Sequence, residues 1–104
     1  MVNGLHFYNL NSNLGVLKVV EHGSISSGAL TFVFSSIGGG IYLLFASLQW
    51  NSEAFLLFYS GSTPTVTATN LKTGETVRND DANSTFTAID NITVYVVYTL
   101  IKIS

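Results

Sequence analysis

Residues able to do chemistry are few in this chain, and their spacing keeps them apart. The two histidines are His6 and His22, with Glu21 as the nearest carboxylate. A hairpin closing about Ser12 sets His6 opposite Lys18 and His22 opposite Val2. The two imidazoles then sit several residues apart along the ladder, too far to share a metal ion. Asp80, Asp81 and Asn83 fall in the polar run 79–83. A calcium loop of the helix–loop–helix type needs a central glycine and a closing glutamate. This run has no glycine, and Ser84-Thr85 stand where the carboxylate is wanted, so a solvated turn is the simpler account.

A hydrolase built on two carboxylates needs both in one cleft, whereas the six acids here are scattered mostly over turns. Serine is plentiful, but no Gly-x-Ser-x-Gly elbow occurs. Gly38-Gly39-Gly40 is followed by no helix start and has no lysine nearby, so it reads as a hairpin turn rather than a phosphate cradle. The absence of cysteine excludes disulfides, thiolate metal sites and cysteine nucleophiles together. The expectation is a protein without catalytic residues, cofactor or metal.

Trp50 is the aromatic residue of most interest. It lies between Gln49 and Asn51-Ser52-Glu53, an apolar platform among amides and a carboxylate. That setting suits stacking on a sugar ring and equally suits an interface anchor, where tryptophan is enriched. A third option folds the indole back over the edge of the core. The candidate ligand-binding residues are therefore Trp50, Asn51 and Glu53, with Asp80, Asp81 and Asn83 from the later loop.

Only 10% of the residues are charged, against about 25% in ordinary soluble domains. Serine, threonine, asparagine and glycine take their place. A surface of this kind suits burial against other subunits or exposure on a virion or cell exterior. Four basic residues and a net charge of −2 do not supply the clustered cations that nucleic acid requires. The start of the chain has no basic region leading into an apolar run, so no secretory leader is expected. The sequons at Asn83-Ser84-Thr85 and Asn91-Ile92-Thr93 are then fortuitous.

Residues 29–50 are apolar enough and long enough to raise the question of a membrane span. The triple glycine beside Ser35 and Ser36 would leave backbone groups unsatisfied in lipid. The nearest flanking charges, Glu21 and Glu53, set no positive-inside orientation. Two strands account for the same residues better.

The elements that must position these side chains are strands throughout. Residues 5–10 and 14–21 form a first hairpin about Asn11-Ser12-Asn13, an oligomerisation or linker segment ended by His22-Gly23-Ser24. Leu30, Phe32 and Phe34 then alternate with Thr31, Val33 and Ser35, a period of two. Residues 41–48 and 54–59 are apolar on both faces, which is the mark of burial on both faces. In a domain of 104 residues one face is the core and the other is expected to meet a neighbouring subunit. Residues 65–70 and 75–78 pair through Lys72-Thr73-Gly74. Residues 85–89 and 92–103 follow, joined by a two-residue turn at Asp90-Asn91. The last segment would run roughly 35–40 Å if unbroken, so a bulge or bend is expected to divide it. Eight or nine short strands without an amphipathic helix predict one all-β domain, an antiparallel β-sandwich of jelly-roll type.

From Ser24-Ile25-Ser26-Ser27-Gly28 onward the order of segments resembles the C-terminal β-sandwich heads of phage tail fibres and related receptor-binding proteins. The resemblance runs through the segments 40–47, 54–61 and 92–98 and covers most of the chain. It implies a virion structural or receptor-binding domain, a homotrimer with one sheet around the three-fold axis. Its loops would touch a host-surface glycan or protein. The alternatives are a monomeric carbohydrate-binding or adhesion module of the cell exterior, and a small membrane-associated protein using residues 29–50.

Overall fold

A computed structural model of the chain describes residues 17–104. His6, the expected strand 5–10 and the turn about Ser12 lie outside them. Eight strands and one helical turn follow in the order β1 (Lys18–Ile25), β2 (Gly28–Val33), α1 (Phe34–Ile37), β3 (Gly40–Ser47), β4 (Ser52–Tyr59), β5 (Val66–Asn70), β6 (Thr76–Asn79), β7 (Thr85–Ile92) and β8 (Val96–Lys102). They form two antiparallel sheets, one of six strands in the order β1-β8-β3-β4-β5-β6, the other the pair β2-β7.

The sheets pack face to face because alternate residues of each are apolar. Tyr42, Leu44 and Ala46 of β3, Phe55, Leu57 and Tyr59 of β4, and Val96 and Leu100 of β8 are buried on the inner side of the large sheet. Leu30 and Phe32 of β2 and Phe86 and Ile92 of β7 close over them. Edge-on aromatic pairs join the layers: Phe55 with Phe86 at 5.1 Å and Phe32 with Tyr98 at 5.8 Å between ring centres. Each fully buried Leu or Phe contributes roughly 1.5–3 kcal/mol relative to exposure.

Three expected turns are something else. His22-Gly23-Ser24 does not end the second strand; it lies within β1, with Gly23 opposite Tyr98. A Cβ on Gly23 would come 3.2 Å from the Tyr98 hydroxyl, so this glycine makes room for a ring. The triple glycine is not a hairpin turn, because β2 pairs with β7 while β3 pairs with β4 and β8. It carries the chain from one sheet to the other. A Cβ on Gly39 would lie 2.7 Å from the Ser60 carbonyl oxygen, and no ordinary residue fits there. Phe34 does not extend β2 but opens α1, its ring fully buried against Tyr42 at 5.1 Å.

Asp90 and Asn91 likewise fall inside β7, not in a hairpin, since β7 and β8 belong to different sheets. The segment 92–103 is divided as expected. Ile92 ends β7, residues 93–95 cross between the layers, and Val96 begins β8.

Candidate functional site

The six candidate residues divide between the two ends of the large sheet. β3 pairs with β4 from Gly40 opposite Tyr59 to Ser47 opposite Ser52, which sets Trp50 and Asn51 in the turn at one end and Glu53 just inside it. β5 and β6 pair from Val66 opposite Asn79 to Thr69 opposite Thr76, so the loop after β6 leaves at the other end. There Thr65 donates its hydroxyl to Asp80 Oδ1 at 2.9 Å. Trp50 and the pair Asp80-Asp81 therefore cannot share one ligand.

Asp81 is an organiser of its own loop. Its carboxylate accepts the Thr85 backbone N–H at 2.9 Å and the Thr85 hydroxyl, and its carbonyl accepts the Ser84 N–H at 3.0 Å. The Thr85 hydroxyl bond, followed by the Thr85 backbone bond, holds the carboxyl below the usual aspartate range. Ser84, buried with a left-handed backbone (φ 54°), is the residue the loop bends around. The Asn83 carbonyl accepts the Ser35 N–H at 3.2 Å, tying the loop to α1. Among the described residues no three His, Cys, Asp or Glu side chains converge as a metal site would need.

At the opposite end Trp50 is 86% exposed, which eliminates the option of an indole folded over the core. Asn51 and Glu53 are held internally. Lys72 Nζ donates to Asn51 Oδ1 at 2.7 Å and to the Ser52 carbonyl at 2.8 Å, and Asn70 Nδ2 reaches Glu53 Oε1 at 3.4 Å. Lys72 thus pins the β3–β4 turn to the β5–β6 turn. Sequence reasoning left out Lys72 and two exposed apolar neighbours at this end, Leu71 and Tyr95. Tyr95 precedes β8, whose Val97 pairs with Ser47 beside the Trp50 turn.

A second feature spans the outer side of the large sheet. Register aligns Val19, Ile101, Leu43 and Leu56 in one row across β1, β8, β3 and β4. Phe45 and Phe58 stand in the flanking rows and are each close to half exposed, as is Val97. Two shallow depressions open along this side. One, of about 370 Å³, is lined by Val19, His22, Tyr95, Val97 and Thr99; the other, of about 290 Å³, by Phe45, Ser47, Ser52, Glu53, Val97 and Thr99. Near the first, the Tyr98 hydroxyl donates to Glu21 Oε2 at 3.1 Å, and partial burial and then that carboxylate push the phenol's pKa up.

Fold and surface together define a class: an all-β domain of two packed antiparallel sheets whose large sheet is apolar on both sides of its central strands β8, β3 and β4. Comparison with protein-family models, curated proteins and solved structures found no match to this chain. No helix among the described residues is long and apolar enough to cross a membrane.

Proposed function

We propose that this chain is a non-enzymatic structural and receptor-binding domain of a virion, of the kind that heads phage tail fibres. In this reading it works as a homo-oligomer, a trimer in the fibre-head arrangement, and touches the host surface through loops at one end. The observation that carries the reading is the outer side of the large sheet. A lone soluble domain rarely leaves so continuous an apolar surface in water. The low charge and the order of strand segments point the same way.

Contact with the host falls to the end that displays Trp50, Leu71 and Tyr95 beside Lys72 and Asn51. Exposed indole and phenol rings next to amide and ammonium groups suit a glycan. This one feature also favours the alternative, a monomeric carbohydrate-binding module of the cell exterior. Native mass spectrometry at micromolar concentration separates the two, with oligomers expected and monomers alone favouring the alternative. On a glycan array, Trp50→Ala is expected to weaken binding at least tenfold. Equal binding by the variant would remove Trp50 from the contact surface.

A further inference from the structure

We infer that the outer side of the six-stranded sheet is occupied by the same side of a neighbouring copy, sheet against sheet, with Phe45, Leu56 and Val97 at the centre of the contact. The inference rests on the oligomeric reading above but not on its three-fold form, since a face that meets the same face of one other copy makes a two-fold contact.

Three properties select a second copy over other occupants. The first is charge. By register, the ionisable side chains of the described part of this face are His22 on β1 and Arg78 on β6, the two outermost strands, with Tyr95 at one end. Its middle offers apolar groups and the hydroxyls of Ser47, Ser52, Thr69 and Thr99. Glu53 lines one depression, but by register it pairs across the ladder with Ala46 on the buried side of the sheet. Two such faces meet without like-charge repulsion, whereas a charged partner would find nothing complementary. Depletion of charge at the centre is also what distinguishes protein interfaces compositionally.

The second property is area. Six strands spaced ~4.8 Å apart and about seven residues long present roughly 650 Å² per copy, or about 1,300 Å² over two copies, which reaches the range of stable interfaces. The third is relief. Half-exposed Phe45, Phe58 and Val97 project from the same side on which the two depressions open. A single surface thus carries both projections and recesses, as a self-complementary contact requires.

The chain has no cysteine, so single thiols report directly on this face. Phe45→Cys places one at its centre. Val77→Cys places one at a comparably exposed site, on the side of β6 that pairs with buried Ala68. Both are measured by maleimide labelling across a dilution series, alongside the oligomeric state of the unsubstituted chain. The expected result is labelling of Phe45→Cys at least tenfold slower than Val77→Cys in the oligomer, with the difference vanishing on dilution to monomer. Equal labelling in a chain that is still oligomeric overturns the inference and leaves the oligomeric reading standing, with its interface elsewhere. A chain that stays monomeric overturns both. Protection of the Phe45→Cys thiol at every dilution also overturns the inference, because the cover then belongs to the same chain. Should Phe45→Cys misfold by circular dichroism, Leu56→Cys on the neighbouring strand carries the same expectations.

Discussion

Asp81 shows how a residue type that suggests a ligand can be consumed by the chain itself. Both carboxylate oxygens are engaged by Thr85, so the group closes its own loop. Because its folded pKa lies below the ordinary value, Asp81 stabilises the fold above the unfolded-state pKa. That contribution is lost as pH falls through the lower, folded value. Asp81→Ala should therefore melt below the parent protein at neutral pH, with the gap closing as the solution is acidified beyond the carboxylate range. A gap that persists in strong acid would mean the loop depends on something other than the ionised carboxylate. Thermal melts should be followed by circular dichroism. Trp50 is the single tryptophan and is already 86% exposed, so its emission reports little of unfolding.

Among the elements, the connections carry more information than the strands. Alternation located the middle of nearly every strand, because apolar residues on a pleated surface must recur every second position. Alternation cannot say which sheet a strand joins. The links at 38–39, 80–84 and 93–95 each cross between layers, yet the first reads as a hairpin turn, the second as a solvated turn and the third as part of one long, bent strand. Gly39 is the sharpest case, held against the Ser60 carbonyl at a distance no Cβ tolerates. Gly39→Ala should destabilise the domain by about 2 kcal/mol, within the range for a strained backbone substitution, measured by urea unfolding. Gly28→Ala, where a Cβ meets nothing but the backbone is left-handed (φ 87°), separates conformational strain from collision. A loss at Gly39 no larger than that at Gly28 would remove the steric account.

For the whole molecule, the absence of charge from the middle of the outer face has a thermodynamic consequence. Association driven by apolar burial is not screened by salt, whereas association between charged surfaces weakens as the Debye length shrinks. Raising sodium chloride from about 50 mM to about 500 mM should leave the dissociation constant of the oligomer within about threefold. Sedimentation analysis at both ionic strengths measures this. A tenfold weakening would indicate that charged edges, not the sheet face, hold the copies together.

The residues alone determined that this is an all-β protein, where most strands run, and that β3 and β4 are apolar on both sides. These are local properties, written in alternation and in side-chain type. The residues also singled out Trp50 as an aromatic in a polar turn, though its exposure was decided by the fold. Only the tertiary structure decided how eight strands divide six and two, since pairing partners far apart in the chain leave no local mark. It moved Asp80 and Asp81 to the end opposite Trp50, which splits one apparent set of ligand residues into a structural loop and a display surface. It also carried β1 straight through His22-Gly23-Ser24. There a glycine that reads as a breaker sits in mid-strand opposite Tyr98, where a Cβ would come within 3.2 Å of the phenol oxygen.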